Sequence, residues 1–404
     1  MRTAALLHVF LAVLAAGGTA QNQRRLTFAP FGVGLPSAGQ WREGFRVADL
    51  NGDGHPDIVH GAPRKHSSTP VIFLGDGKGS FTRWKEARFT ALPYDYGDIE
   101  TADFDGDGHA DIALAIHEGG MYVLNGDGRG NFTNASGPLW RDGRFSSRAV
   151  RVTDWNGDGR PDLVAVWEGP MAGRTPPRAG IVVFLNGAAS GWSRAELESS
   201  KGIYSDSLTV GDFDGDGHPD AVSGSSVMGR SDLLRLNTAE NVPPVPIPGT
   251  VHYVQAVAPG DFDNDGRDDL AVAYLTLDND VWYSVVDVFL SRAGQGWERI
   301  ELSRERSRNV AVAMATGHLQ DRRARDLFVL TSQGQTIPFL GDGHGKFERN
   351  DAIPVYGGGC RGAHVELADL DGDGTDEIVA SFADEPGAAC PAGGGITAWK
   401  AVRP

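Results

Sequence analysis

A short acidic turn that recurs along the chain, apolar runs directly after each copy, and glycine-rich hairpins further on together predict an all-β protein. The turn is complete six times, for example in FDGDGHAD at Phe104–Asp111. Successive copies start 49 to 58 residues apart, once the degenerate copy HLQDRRARD at His318–Asp326 is included. About fifty residues accommodate four short strands with their turns. The sequence therefore predicts a seven-bladed β-propeller.

The segments between the turns have the features of buried strands. The runs after the turns are too short for globular helices and are rich in Val and Ile: DIVHGA, DIALAI, DLVAVW, DAVSGS, DLAVAY, DLFVL and EIVAS. A second strand often ends in a glycine hairpin, as in VIFLGDGKGSF, YVLNGDGRGNF and IPFLGDGHGKF. Glycine supplies the positive φ that such hairpins need. No segment keeps a 3.6-residue apolar period, so helices are not expected.

The two chain ends favour a closed ring. GITAWKAV at Gly395–Val402 lacks a following strand, and RRLTFAPF at Arg24–Phe31 offers one. We expect this N-terminal strand to complete the last blade, because closure protects sheet edges that an open stack would expose. A linear solenoid or two domains would be the alternatives.

The N-terminus has the features of a secretory signal. Arg2 precedes an apolar stretch over Ala4–Ala16, and the small residues that follow permit cleavage before Gln21. We expect residues 1–20 to be a signal peptide and residues 21–404 to be a single propeller domain. A membrane anchor is the alternative, although the apolar stretch is short for a span. Export in turn favours one disulfide between Cys360 and Cys390 over two unpaired thiols.

Composition restricts the partners. The formal charge of −16 argues against nucleic acid and against an anionic membrane surface. No later segment approaches eighteen consecutive apolar residues, so we expect no membrane insertion. We expect a monomer.

The acidic turn has the pattern of a calcium site. Positions 1, 3, 5 and 9 carry oxygen side chains, glycine at position 6 permits a sharp turn, and position 7 offers its carbonyl; hard oxygen donors in this number suit Ca²⁺. An EF-hand is excluded because position 12 is never Glu in the six complete copies. The expected metal residues are Asp49, Asn51, Asp53, His55, Asp57, Asp103, Asp105, Asp107, His109, Asp111, Asp154, Asn156, Asp158, Arg160, Asp162, Asp212, Asp214, Asp216, His218, Asp220, Asp261, Asp263, Asp265, Arg267, Asp269, Asp369, Asp371, Asp373, Thr375 and Glu377.

The degenerate sixth copy is expected to hold no calcium. His318, Gln320 and Arg322 replace the donors at positions 1, 3 and 5. Arg322 is expected to take the place of the cation and to pair with Asp321 or Asp326. Six ions in the other copies would carry +12, so calcium would supply a large share of the counter-charge, and its removal should loosen most blades.

The turn D-x-[DN]-x-D-G-x-x-D, the apolar strand after it and the hairpin LGDGxGxF resemble the FG-GAP/VCBS repeat. This repeat builds the propeller heads of integrin α chains and related extracellular proteins, and the resemblance covers nearly the whole chain after residue 20. It implies a seven-bladed propeller with calcium in the turns, an adhesion or ligand-binding role, and export. Lectins of this architecture repeat a Gly-Trp and His pattern before each turn; here only Trp41 stands near such a position.

We therefore expect a secreted, calcium-binding propeller that binds an extracellular glycan or protein. The alternative is an enzyme of the polysaccharide lyase, hydrolase or cyclase type with its active site at the channel mouth, and a third hypothesis is a structural module of a surface assembly. His117-Glu118 and His60 are the acid/base candidates, but a solvated strand end is the favoured alternative because no nucleophile motif lies near either. His55, His109 and His218 at position 7 are expected to face solvent.

Aromatic residues and insertions are the candidate ligand contacts. Aromatic side chains on loops can stack on sugars or peptides, and the candidates are Trp41, Tyr94, Tyr96, Trp167 and Trp282-Tyr283. The alternative is that these side chains only pack at the rim of the ring. Insertions are expected between strands at Glu168–Gly180, Ala239–His252 and Leu277–Ser284. Asn131 and Asn134 fit overlapping N-glycosylation sequons, which matter only in a eukaryotic secretory pathway.

Overall fold

The computed structural model describes residues 26–62, 69–92, 97–117, 119–137, 145–167, 180–197, 200, 205–224, 234–236, 247, 250–294, 296–307, 309–350, 360–383, 390 and 394–402. The strands within these ranges form seven separate sheets, so the predicted all-β fold is confirmed. The expected signal peptide, Tyr94, Tyr96, Glu118 and the insertion at 168–179 lie outside the described residues.

The first three blades contain strands β2 to β14. Neighbouring strands are antiparallel except for β6, which pairs in parallel with β10. Blade 1 contains β2 (Phe45–Ala48), β3 (Asp57–His60), β4 (Val71–Gly75) and β5 (Phe81–Arg83). Blade 2 contains β6 (Arg88–Phe89), β7 (Gly97–Ala102), β8 (Asp111–Ile116), β9 (Gly120–Gly126) and β10 (Asn131–Asn134). Blade 3 contains β11 (Val150–Thr153), β12 (Asp162–Trp167), β13 (Gly180–Asn186) and β14 (Trp192–Glu196), with a short 3-10 turn at Ala188–Ser190.

The remaining blades contain β15 to β28 and are closed by β1. Blade 4 contains β15 (Leu208–Gly211), β16 (Asp220–Ser223) and β17 (Leu234–Leu236). Blade 5 contains β18 (Thr250–Gly260), β19 (Asp269–Asp278), β20 (Val281–Arg292) and β21 (Gly296–Glu305). Blade 6 contains β22 (Ala311–Gly317), β23 (Asp326–Thr331), β24 (Thr336–Gly341) and β25 (Phe347–Arg349). Blade 7 contains β26 (Arg361–Ala368), β27 (Glu377–Ala383), β28 (Gly394–Val402) and β1 (Thr27–Pro30).

The blades form a closed ring. The first strand of each blade, which is the innermost one, contacts that of the next in the order β2, β7, β11, β15, β18, β22 and β26, and β26 returns to β2. Seven apolar clusters fill the seven interfaces between neighbouring blades. Each cluster includes the residue at position 2 of the acidic turn, for example Phe104, Phe213 or Phe262, which is nearly inaccessible to solvent. The repeat therefore builds one shared core between blades rather than seven separate cores.

The N-terminal strand closes the ring as predicted. Thr27–Pro30 pairs antiparallel with the C-terminal strand, with Thr27 opposite Val402 and Pro30 opposite Trp399. Phe28 is buried in the cluster between blades 6 and 7. The predicted disulfide between Cys360 and Cys390 is also present, within blade 7. Both ends of the chain and a covalent link therefore meet in one blade.

Blade 5 differs from the others in length. Its strands contain 10 to 12 residues, and β19 and β20 meet in a tight turn at Asn279-Asp280, both in the left-handed region. The segment Leu277–Ser284, expected as an insertion between strands, is the end of this hairpin, because consecutive residues of the two strands pair without a break up to Asp278 and Val281. No helix among the described residues is long and apolar enough to cross a bilayer.

Ring closure by β1 can be tested with a pair of substitutions. Phe28→Ala should lower the free energy of unfolding by about 3–5 kcal/mol, because it leaves a cavity in the cluster between blades 6 and 7. Thr27→Ala, at the exposed neighbouring position, should change it by less than about 0.5 kcal/mol. Denaturant titrations of the two variants measure the difference. Equal stability of both would contradict the closing role of β1.

Candidate functional site

The acidic turns follow the innermost strand of each blade and lie on one face of the ring. In blade 2, for example, β7 ends at Ala102 and the turn leads into β8 at Asp111. The six glycines at position 6 have φ between +83° and +91°, a backbone conformation that residues other than glycine rarely adopt. The sequence pattern has glycine at position 6 because the backbone there takes a positive φ.

The first carboxylate organises each turn. In the turn at Asp103, Oδ1 accepts the backbone N–H groups of Gly106 at 2.7 Å and Asp107 at 3.1 Å, and Oδ2 accepts that of Gly108 at 2.9 Å. The Asp107 carboxylate in turn accepts the N–H of His109 at 2.8 Å. Closely similar bonds recur in the other five complete turns. The carboxylates are therefore held in place by the backbone before any ligand binds.

Four turns bring three carboxylates together, and two turns use asparagine instead. Carboxylate oxygens lie within 4.8 Å of one another in four groups: Asp103, Asp105 and Asp111; Asp212, Asp214 and Asp220; Asp261, Asp263 and Asp265; Asp369, Asp371 and Glu377. In the turns at Asp49 and Asp154, Asn51 and Asn156 replace one carboxylate and donate to position 5 at 3.0 Å. Oxygen donors alone fit Ca²⁺ better than zinc, which prefers His and Cys. At position 7, His55, His109 and His218 are exposed, as expected.

The carboxylate at position 9 joins the turn to the rest of its blade. Asp111 is fully buried; its Oδ2 accepts the N–H of Phe104 at 2.7 Å and its Oδ1 accepts the N–H of Gly126, at the end of the third strand, at 2.8 Å. The same two bonds are made by the buried carboxylates of blades 1, 3, 5 and 6, namely Asp57, Asp162, Asp269 and Asp326. Position 9 is therefore a structural residue as well as a candidate ligand.

Without a bound cation these buried carboxylates are costly at neutral pH. Burial, opposed by the two N–H donors and reinforced by neighbouring carboxylates, raises the pKa of Asp57 and Asp111 to about 6 and that of Asp269 to about 7. A divalent ion among the carboxylates would favour their charged form and remove this cost. The residues thus fit the ion predicted from the sequence.

In the sixth turn the Gln320 amide, and not Arg322, contacts the buried Asp326. The prediction that Arg322 takes the place of the cation is therefore wrong. Gln320 Nε2 donates to Asp326 Oδ1 at 2.9 Å and lies 3.3 Å from the Gly341 carbonyl. Arg322 instead points to the neighbouring blade, where its Nε donates to the Gly374 carbonyl at 3.0 Å. The reason is geometric: the shorter Gln320 side chain already satisfies Asp326, and Arg323 pairs with Asp321 at 2.5 Å.

A second candidate site lies at the opposite end of the innermost strands. A cavity of about 240 Å³ at the channel mouth is lined by residues from all seven blades. Its residues precede the acidic turns by about three to seven positions; Asp98, for example, lies five residues before Asp103. At about 3.3 Å per residue the two sites are roughly 15 Å apart along the strand. The turns and the cavity therefore belong to different faces of the ring.

One side of the cavity wall is charged and the other is mainly apolar. Blades 1 to 4 contribute charged side chains, among them Glu43, Asp98, Arg148 and Asp206. Blades 5 and 6 contribute mainly apolar ones: Ala256, Val257, Val312, Ala313 and Met314. Arg148 Nη1 lies 3.4 Å from Asp206 Oδ2, and Glu43 accepts the N–H of Gly97 at 3.1 Å. The cavity is thus suited to a ligand with both polar and apolar parts.

In and beside the cavity wall, ion pairs join blades 1, 2 and 3, and a contact between Arg46 and the neutral His364 ring adds blade 7. Arg46 of blade 1 donates to Glu100 of blade 2 at 2.9 Å and lies 2.9 Å from His364 Nε2 of blade 7. Arg151 of blade 3 donates to Asp98 of blade 2 at 2.8 Å. Burial opposes the charge of Arg46, but the neighbouring Glu100 and Asp98 outweigh it and raise its pKa. Breaking such a buried pair on one side typically costs 3–5 kcal/mol, so the network fixes the relative positions of these blades.

Two further groups in this network are neutral or nearly so. Burial, followed by the nearby charge of Arg46, lowers the pKa of His364 to about 3, so its ring is neutral at pH 7. Burial raises the pKa of Glu366 to about 7 despite the attraction of Arg46. Glu366 Oε2 has no hydrogen-bond partner among the described residues.

Sequence reasoning missed this network, although a signal was present. Counting back three residues from position 1 of each turn gives Arg46, Glu100, Arg151 and Glu366 in four blades and Thr209, Ala258 and Ala315 in the other three. Charged residues at one register of otherwise apolar strands indicate a shared polar surface. Only ring closure shows that these four blades are consecutive.

The predicted acid/base and aromatic candidates lie elsewhere. His60 is fully buried against Trp41, with ring centroids 5.1 Å apart, and burial lowers its pKa to about 4. His117 is also buried, and neither histidine lines the cavity. Trp41 and Trp167 are core residues rather than loop platforms; they are 8% and 7% exposed. Trp282 and Tyr283 lie on the extended hairpin of blade 5 and are partly exposed.

Comparison with known proteins agrees with this architecture. Residues 62–114, 103–165 and 212–272 match the model of the FG-GAP-like repeat. Two solved structures with a similar fold are crystal structures of BBS1N in complex with ARL6DN, one soaked with lead and one with mercury. Their TM-scores are 0.56 and 0.54, with 12% and 11% sequence identity over 94% of this chain and 98% and 97% of theirs. At this identity the likeness shows the fold alone.

A closed ring of sheets around a channel, with an acidic turn after the innermost strand of each blade, defines a β-propeller with candidate metal-binding turns. Within this fold, residues 62–165 and 212–272 match the FG-GAP-like repeat, so the chain is a β-propeller that contains FG-GAP-like repeats.

The raised pKa of Glu366 predicts that the stability of the protein depends on pH. Because the native state holds this proton up to about pH 7 and the unfolded state releases it near 4.5, stability is lost as pH rises through that window. Glu366→Gln removes the ionisation, so the variant should gain on the order of 1–3 kcal/mol relative to wild type between pH 4.5 and pH 8. Denaturant titrations at several pH values measure this difference. Glu348→Gln, at an exposed position, serves as the control; a gain of the same size there would count against a buried Glu366.

Proposed function

We propose that this protein is a secreted, calcium-stabilised propeller that binds an extracellular protein or glycan at the channel mouth. The cavity with one charged and one apolar half, built by all seven blades, is the observation that carries the binding role. Propellers present their channel mouths as binding surfaces whose specificity lies in the lining rather than in the fold. The disulfide in blade 7 favours export, because such bonds persist in oxidising compartments.

Among the two ligand classes, a protein ligand is favoured. Sugars are commonly held by exposed aromatic platforms, and two candidate platforms, Trp41 and Trp167, are buried in the core. Ion pairs beside valine and methionine side chains suit a peptide segment with mixed charge and apolar character. BBS1N, which has a similar fold, was crystallised in complex with ARL6DN, which is consistent with this choice.

Binding is also favoured over catalysis. The carboxylates of the mouth are engaged with protein groups: Asp98 accepts from Arg151, and Glu43 accepts from the Gly97 backbone. His364, the imidazole of the cavity, is neutral and contacts the Arg46 guanidinium. Acid and base groups held in this way stabilise the ring and are poorly placed to exchange protons with a substrate.

The calcium part of the proposal rests on the oxygen geometry of the turns. Bound ions would neutralise carboxylates that the fold forces together, and each site saturated a hundredfold above its Kd adds about 2.7 kcal/mol of stability. Addition of 1 mM CaCl₂ to metal-free protein should therefore raise the melting temperature by on the order of 10 °C or more, with several ions bound per chain. Thermal melts and elemental analysis measure both quantities. MgCl₂ is the control, since Mg²⁺ tolerates this coordination poorly; a protein indifferent to Ca²⁺ would overturn the calcium proposal.

Ligand binding can be assigned to the cavity with a matched pair of variants. The wild-type protein is screened with calcium against a displayed peptide library and a glycan array, and the strongest binder is titrated. Val312→Trp fills the apolar half of the cavity and should weaken that binder at least tenfold. Thr82→Trp adds the same side chain to the exposed outer strand of blade 1 and should leave affinity unchanged. Equal affinity in both variants would place the binding site elsewhere, and a glycan as the strongest binder would reverse the preference for protein.

A further inference from the structure

Basic side chains reach the carboxylates of more than one acidic turn: Arg160 contacts Asp158 in blade 3, and Arg292 contacts Asp263 and lies 4.0 Å from Asp265 in blade 5. The turn of blade 7 differs from these two because more of its carboxylates are engaged. The Lys400 ammonium contacts Asp371 and lies 2.9 Å from Asp373 Oδ2 and 3.3 Å from Glu377 Oε1. The guanidinium of Arg322, from the turn of blade 6, lies 3.6 Å from Asp369 Oδ2. All four carboxylates at positions 1, 3, 5 and 9 of this turn therefore face a basic side chain of the chain itself.

Strand register explains why Lys400 reaches the turn. In each of six blades, the residue after position 9 pairs with a residue of the third strand, as Ile378 pairs with Trp399 and Ile112 with Leu124. In blades 2 and 7 the next residue along the third strand reaches position 3 of the turn. In blade 2 this is Asn125, whose amide donates to Asp105. The corresponding residues are Leu74, Leu185, Leu290 and Leu340 in blades 1, 3, 5 and 6, and Lys400 in blade 7.

Neighbouring elements hold Lys400 in this place. Its backbone pairs with Ala29 of the closing strand, and its ammonium lies 5.5 Å from the centre of the Phe31 ring. Its side chain is largely shielded, with 26% exposed. A basic group that is packed and paired with three carboxylates is a stable counter-charge rather than a passing surface contact.

We propose that the turn at Asp369–Glu377 holds no calcium and is neutralised by Lys400 and Arg322 instead. This inference rests on the calcium proposal for the other turns and reduces the expected number of ions from six to five. Blade 7, which contains the closing strand, and blade 6, which packs against that strand, would then keep their turns without metal: blade 6 through the Gln320 amide and blade 7 through Lys400. Ring closure would thus be independent of the calcium that stabilises the other blades.

A reciprocal exchange at the equivalent positions tests this directly. Lys400→Asn gives blade 7 the residue of blade 2 and should add one bound calcium per chain. Asn125→Lys gives blade 2 the residue of blade 7 and should remove one. Calcium per chain is measured by elemental analysis after equilibration with buffered Ca²⁺. Lys400→Asn should also make the melting temperature more dependent on calcium than it is in wild type.

A second pair of variants keeps the test independent of these exchanges. Asp105→Ala should lower the calcium content by one ion, whereas Asp371→Ala should leave it at the wild-type value. Loss of one ion in Asp371→Ala, or no gain in Lys400→Asn, would overturn the inference while leaving the calcium proposal intact. A wild-type protein without any bound calcium would instead overturn the calcium proposal, on which this inference depends.

Discussion

The fold depends on a buried carboxylate that, in blades 1, 2, 3, 5 and 6, accepts two backbone N–H groups. In blade 2, Asp111 joins the start of its turn at Phe104 to the end of the third strand at Gly126. Because hydrogen bonds to a charged acceptor are strong and an unmet N–H in the core is costly, this residue fixes the turn against the sheet. Its importance is clearest in blade 6, where Asp326 is kept although the other candidate metal positions have changed.

Charge is distributed unequally between the two faces of the ring. One face collects the carboxylates of the turns, where like charges are crowded and require a counter-cation. The other face contains a balanced network, in which Arg46 and Arg151 are matched by Glu100 and Asp98. The first arrangement is suited to binding ions, and the second forms part of the wall of a cavity with charged and apolar sides. Separation along the strands lets the two sites vary independently.

Much of this architecture was predictable because the relevant information is local. The turn pattern fixed the repeat, glycine at position 6 fixed its backbone, and the unpaired end strands predicted closure by Thr27–Pro30. The cavity and its network were not predicted, because their residues come from strands far apart in the chain. Trp41 and Trp167 were candidates for loop platforms but are buried in the core, for a related reason. Whether an aromatic residue beside a loop is buried depends on what the neighbouring blade packs against it.

The same contrast holds within the turns. Residue type and spacing alone established which side chains carry oxygen donors and that the sixth copy lacks them, since these depend only on sequence order. Which cation faces those oxygens depended on tertiary structure, because Lys400 reaches its turn through strand register and Arg322 reaches across from the next blade. Neither contact joins neighbours in sequence, so only the folded ring brings them together.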